Sequence, residues 1–131
     1  RLRVSGRKDI RAAVFATGIP FAGVPRKAEF SSILHRVMPQ VAGVRRFGAA
    51  ALDLAWVAAG RYDGFWELGL KKWDIAAGLV MVRVAGGRES DAEGAGADVG
   101  GRRIISNQAL QPKLRELVVD GIAAVKARPV G

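Results

Sequence analysis

The 131-residue chain is half apolar and a quarter charged, has no cysteine, and carries a formal charge of +9 from 21 Lys and Arg against 12 Asp and Glu. This length suits one domain with its own core, and the balance of apolar and charged residues excludes a disordered or fibrous chain. Without cysteine there is no disulfide framework, thiolate metal site or thiol nucleophile, and the longest apolar run, Ile75 to Val82, is too short to cross a bilayer.

The chain opens on its densest basic cluster, Arg1, Arg3, Arg7, Lys8 and Arg11, with no apolar secretory stretch, so the cytoplasm is the expected compartment. It begins with Arg rather than Met, which hints at a cut from something longer. "AAVFATG" (Ala12 to Gly18) is a short apolar run ended by Gly-Ile-Pro and suits a buried strand. Phe30, Ile33, Leu34, Val37 and Met38 then recur at helical spacing until Pro39. Gly43 to Phe47 reads as a strand, and Gly48 to Ala59 as an Ala-rich helix with one interior acid, Asp53. A helix apolar on nearly every side belongs in the middle of a sandwich. Tyr62 to Leu68 is aromatic and strand-like, and Asp74 to Ala85 is a second nearly all-apolar helix, closed at Gly86-Gly87 by a left-handed glycine cap. After "RESD" and a Gly-rich loop come "RIIS" and a last helix with the stripe Leu110, Leu114, Leu117, Val118, Ile122 and Val125. Strands alternating with helices over short connections predict an α/β layered sandwich. Its sheet of about five strands should be largely parallel or mixed, with helices on both faces.

The positive charge invites a nucleic-acid reading, but the basic residues are scattered and adjacent only at Arg45-Arg46, Lys71-Lys72 and Arg102-Arg103. That argues against a built nucleic-acid surface, and a basic non-catalytic binding module is kept only as the alternative. The Gly-rich loop from Ala92 to Gly101 imitates a dinucleotide fingerprint but holds Glu93 and Asp98 and runs into a strand, so it reads as a surface turn. His35, the only histidine, falls on the polar side of its helix, and no serine sits in a nucleophile motif.

Two places hold more chemistry. The helix opening at Gly48, Ala49 and Ala50 leaves backbone N–H groups uncovered by bulky side chains, which suits a bound oxyanion or hydroxyl, and equally a tight glycine turn. Glu67 and Asp74 fall at a strand's carboxyl end and at the next helix's start, where ligands bind in α/β sheets. Asp74 also suits a helix cap, and Glu67, among Phe65, Trp66 and Leu68, falls on the Phe65 side of its strand by alternation. From the residues alone, a hydrogen-bonding or metal role and a structural role both stand.

The string "GVRRFGAAALDLAWVAAGRYDGFWELGLKKWDIAAGLVMVRVAGG" resembles the C-terminal signature of the inositol monophosphatase family: a Trp-Asp followed by small residues, then an apolar helix ending in Ala-Gly-Gly. "LRVSGRKDI", "ATGIPF" and "RIISNQAL" resemble its flanking pieces in the same order, so the match covers essentially the whole chain. The resemblance implies residues 1–131 as the C-terminal α/β domain of a Mg²⁺-dependent phosphomonoesterase acting on inositol monophosphate or a similar small polyol phosphate. It implies Asp74 as a Mg²⁺ ligand that also touches substrate, Glu67 as the acceptor of inositol hydroxyls, and Gly48, Ala49 and Ala50 as pocket lining. No catalytic residue beyond these is carried over, and homodimerisation is implied by the family alone.

This sequence departs from the pattern in two places. Ala49 stands where most members carry Ser or Thr, and Lys72 where Pro is usual before Trp-Asp. The family's other metal-binding elements belong to an N-terminal half that is absent here. The chain by itself is therefore expected to be inert, with an apolar face left uncovered. Sugar or nucleotide phosphatases remain the alternatives within the enzyme class.

Overall fold

The computed structural model describes residues 2–18, 24–46, 49–68, 72–91 and 103–126, and of 24–26, 72–75 and 91 the backbone alone. In chain order the elements are β1 (Val14–Thr17), α1 (Val24–Val37), β2 (Gly43–Arg45), α2 (Ala50–Ala58), β3 (Gly64–Glu67), α3 (Lys72–Val84), β4 (Arg88–Asp91), β5 (Arg103–Ser106) and α4 (Gln111–Lys126). The strands form one five-stranded sheet in the order β2-β1-β3-β5-β4. β1 pairs parallel with β2 and β3, whereas β5 runs antiparallel to both β3 and β4. The mixed α/β sandwich expected from the alternating pattern is the architecture found.

Alternation along the strands divides the core into two layers. Phe15, Trp66 and Ile104 pack on one face with Ile33 and Val37 of α1 and Leu114, Val118 and Ile122 of α4. Their neighbours Ala16, Phe65 and Ile105 pack on the other face with Leu54 and Val57 of α2 and Leu79 and Val82 of α3. The central strands β1, β3 and β5 carry apolar residues on both sides because each side has a helix layer to meet. Small residues let these layers close. A Cβ on Gly121 of α4 would stand 2.8 Å from the Ile33 Cα, and one on Gly78 of α3 would stand 2.7 Å from the Leu54 Cβ.

Several element ends differ from the sequence pattern. α3 starts at Lys72, so Asp74 is its third residue and not its cap. α2 starts at Ala50, and β2 stops at Arg45 without reaching Phe47. Met38, read as part of the α1 stripe, is 59% exposed beyond the end of α1, in a 3-10 turn holding Pro39. "RESD" forms the edge strand β4. Gly86 has φ +92°, the left-handed closure expected after α3. The Gly-rich loop reading at 92–101 lies outside the described residues. Among the described residues no helix is long and apolar enough to cross a membrane.

Candidate functional site

The parallel strands β1, β2 and β3 end together along one edge of the sheet, and α2 and α3 begin just beyond it. Such an edge gathers strand ends and helix N-termini, which makes it the natural ligand side of an α/β fold. Glu67 is the last residue of β3 and, by alternation, projects to the α2 and α3 side of the sheet with Phe65, while Trp66 turns to the other core. Its carboxylate lies against Gly18, next after β1: a Cβ added at Gly18 would clash with Glu67 Oε1. The missing side chain of Gly18 is thus the seat of the Glu67 carboxylate. Thr17 holds the two strand ends together, donating from Oγ1 to the Trp66 carbonyl at 2.8 Å.

Across the β3–β5 pair Glu67 stands opposite Arg103, and Arg103 in turn stands opposite Asp91. Directly opposed residues project to the same face, so a guanidinium shares the Glu67 side of the sheet. Arg103 is 4% exposed, and its Nη1 lies 3.4 Å from Glu89, which also pairs with Arg83.

α2 enters the edge uncapped. Ala49, its N-cap, has φ −139° and ψ 98° and offers no side-chain acceptor to the first turn. The Asp53 amide closes onto the Ala49 carbonyl at 3.0 Å, leaving the preceding N–H groups without intrahelical partners. These donors, at the positive end of the helix dipole, suit an oxyanion or hydroxyl. Asp53 faces inward. It is 1% exposed, its Oδ1 has no hydrogen-bond partner among the described residues, and burial pushes its carboxyl up to about 6. Burial first, then the charge of Asp53, raises the Tyr62 hydroxyl, while Arg45 pulls it the other way.

Of the residues expected in the site, Ala49, Ala50 and Glu67 stand along this edge. Gly48 and the Asp74 side chain lie outside the described residues, although the α3 backbone puts Asp74 in the first turn beyond β3. A cavity of about 410 Å³ near Arg45 and Arg46 is lined by Thr17, Phe30 and Leu34 and so lies on the α1 side of the sheet, opposite Glu67. Among the described residues no group of three or more His, Asp or Glu could hold a metal. Glu67 in its Gly18 seat is an oxygen donor of the hard type that Mg²⁺ takes, but it supplies one carboxylate where a full shell needs more.

The model of the inositol monophosphatase family matches residues 1–124. The chain belongs to that family. It is 51% identical over 118 residues to an inositol-1-monophosphatase from Caulobacter vibrioides, covering 88% of this chain and 46% of that relative. It is also 51% identical over 96 residues to the Nus factor SuhB of Pseudomonas aeruginosa, covering 72% of this chain and 35% of that one. The crystal structure of the extragenic suppressor protein suhB from Bartonella henselae superposes with a TM-score of 0.84 at 46% identity, over 90% of this chain and 46% of that one. The chain thus spans about half the length of the relatives it matches.

Sequence reasoning missed the role of Gly18. Its signal was the Thr-Gly closing an apolar run, which reads equally well as an ordinary strand stop. It also missed the polar junction at the opposite edge of the sheet. There the 3%-exposed Asp63 accepts from the Val14 amide at 2.8 Å, Ser5 Oγ at 2.5 Å and Arg7 Nε at 3.2 Å. Asn107 Nδ2 donates to the Ser5 and Arg7 carbonyls at 3.1 and 2.9 Å, and its Oδ1 accepts from Leu110 N at 2.9 Å.

Proposed function

We propose that this chain supplies the polyol-binding side of a Mg²⁺-dependent phosphomonoesterase acting on inositol monophosphate or a similar small polyol phosphate. The observation that carries the reading is the Glu67 carboxylate seated on Gly18 beside the uncapped start of α2, in a chain of the inositol monophosphatase family. Glu67 accepts hydrogen bonds from the hydroxyls of the polyol and fixes its orientation. The first N–H groups of α2, which have no intrahelical partner, donate to substrate oxygen, and Ala49 leaves room there without offering a hydroxyl of its own. Asp74, in the first turn of α3, is the residue that would hold Mg²⁺. When bound, the metal stabilises developing charge on the phosphoryl and leaving oxygens.

One carboxylate cannot complete an octahedral shell, so the 131 residues alone are expected to be inert, with the remaining ligands coming from the polypeptide that the relatives carry in addition. A cytoplasmic location and a homodimer go with this reading. The deciding assay is phosphate release from myo-inositol 1-phosphate by these residues joined to the complementary part of the Caulobacter vibrioides relative. Activity should require Mg²⁺, disappear with chelator and fall at least about a hundredfold in Asp74→Asn. A folded product that releases no phosphate from this ester or from a panel of sugar and nucleotide phosphates would overturn it.

A second reading rests on the +9 charge together with the relative named Nus factor SuhB: a basic module that binds nucleic acid or protein without catalysis. A steep linear fall of log affinity for RNA against log salt would favour it.

A further inference from the structure

At the edge where β1 and β3 begin, the buried polar groups engage one another, but the charges on its surface do not. β4 starts at the same edge, since Arg88 stands opposite Ser106 and Ser106 opposite Gly64. Residues 3–5 cross this edge between the ends of two helices. The Val4 amide donates to the Ala85 carbonyl beyond α3 at 3.0 Å, and a Cβ on Gly60, beyond α2, would stand 2.9 Å from the Arg3 carbonyl oxygen. Arg61 follows Gly60, and Arg88 follows Gly87, whose own Cβ would lie 3.1 Å from the Val4 side chain. Arg7 and Lys8 continue the segment past Asn107, which donates to the Arg7 carbonyl. Cations far apart in the sequence are thus gathered on one edge, and Arg3, Arg7, Lys8, Arg61 and Arg88 are all exposed there.

Acids do not balance them. The buried Asp63 is engaged by Arg7, Asp9 pairs with Arg11 at 3.1 Å, and Glu89, next to Arg88, pairs with Arg83 and Arg103. Among the described residues Arg3, Lys8, Arg61 and Arg88 have no ion-pair partner. A cavity of about 370 Å³ on this edge is lined by Arg3, Ser5, Lys8, Gly86, Asn107 and Gln108. Beside it a Cβ on Gly6 would meet nothing within 4 Å, so the backbone there is open to approach.

We propose that this edge binds the phosphate backbone of a nucleic-acid duplex, at the opposite ends of the strands from Glu67. The class of partner rests on the nucleic-acid part of the second reading above. Arginine predominates among the unpaired cations, and guanidinium forks grip phosphate oxygens in pairs. No aromatic ring is open for stacking on the bases of a single strand: Tyr62 is 7% exposed, and the Arg61 guanidinium already lies 6.0 Å over the Trp56 ring. The Asn107 and Gln108 amides donate to carbonyls of the chain itself, so contact falls to the cations and is independent of base sequence.

The test involves no turnover, so its failure and that of the phosphatase reading are separable. The chain, joined to the complementary part of the Caulobacter vibrioides relative, is titrated with an RNA duplex and a DNA duplex of about 20 base pairs and unrelated sequence. Both should bind alike, with log affinity falling against log salt at a slope of about −4, one phosphate for each unpaired cation. Arg3→Gln with Lys8→Gln should weaken binding at least about tenfold at about 0.1 M salt and flatten the slope by about 2. Both side chains are exposed and unpaired, so the melting temperature should not move. Arg45→Gln with Arg46→Gln removes the same charge from the other edge and should change affinity less than about threefold. Binding indifferent to Arg3 and Lys8, or weakened alike by the two double variants, overturns the proposal and leaves the nucleic-acid reading standing. Absence of salt-dependent binding to either duplex overturns both. One duplex bound more than about tenfold better than the other, or poly-glutamate bound as tightly as the duplexes, overturns the choice of partner.

Discussion

Replacing Asp53 by Asn should stabilise the chain at neutral pH and do far less at pH 4. Asp53 is 1% exposed in the first turn of α2, and burial lifts its carboxyl from the ordinary 3.8 to about 6. Because the folded-state value lies above the unfolded one, the native state binds more protons than the unfolded chain between about pH 4 and 6. The contribution of this group to stability therefore falls as pH rises through that window. Integrating the linkage relation gives a penalty of about 3 kcal/mol at pH 7.5 and about 0.5 kcal/mol at pH 4. Asn removes the charge at similar volume, and any cost of its buried amide is the same at both pH values. Urea unfolding of the two proteins at pH 4 and 7.5 isolates the effect: the gain from Asp53→Asn at pH 7.5, less the gain at pH 4, should be about 2 to 3 kcal/mol. Equal gains at the two pH values, or a larger one at pH 4, would refute the reasoning, since Asp53 would then be ionised in the native state at no cost.

Two further substitutions separate the edges of the sheet. Gly18→Ala puts a Cβ in clash with Glu67 Oε1, and the atom displaced is the far end of a flexible side chain. The unfolding free energy from urea titration should therefore change by less than about 1 kcal/mol, while KM of the proposed phosphatase, assembled from this chain and the rest of its relative, rises for a polyol phosphate; an unchanged KM would show that the Gly18 seat does not position Glu67. Asn107→Ala removes the side-chain bonds to the Ser5 and Arg7 carbonyls and to the Leu110 amide. It should cost about 2 to 4 kcal/mol, with amide exchange rising first in residues 2–9; a loss of protection spread evenly over the chain would count against it.

What the sequence made legible was whatever repeats with a period. The apolar runs at Phe15, Phe65 and Ile104 and the stripes of α1 and α4 fixed the sandwich, because a strand apolar on both faces needs two helix layers. Alternation likewise put Glu67 on the Phe65 side of β3, away from Trp66. Helix starts were less legible. Asp74 looked like a cap because Asp is a favoured one, yet α3 begins two residues earlier at Lys72, and α2 begins from an N-cap, Ala49, with no capping side chain. Contacts between residues distant in sequence left no local trace. Nothing around Gly18 names Glu67, and nothing around Asp63 names Ser5 or Asn107.

The two sheet edges differ in how their polar groups are used. Where β1 and β3 begin, buried polar groups satisfy one another: Asp63 ties the Val14 amide to Ser5 and Arg7, and Asn107 closes the ring while capping the turn into α4. The Asp63 carboxylate and the Asn107 amide are thus spent on groups of the chain itself, and the value of this junction lies in fixing the extended segment from residue 2 across the strand starts. Where the same strands end, α2 opens without a cap and a glycine makes room for one carboxylate. An Ala at the N-cap forgoes stability that a Ser at position 49 could supply, about 1 kcal/mol for an ordinary cap. That sacrifice is coherent if the partner of the first N–H groups is a substrate oxygen. Ala49→Ser should then stabilise the chain, and in the assembled enzyme its hydroxyl would compete with substrate for the donors it caps.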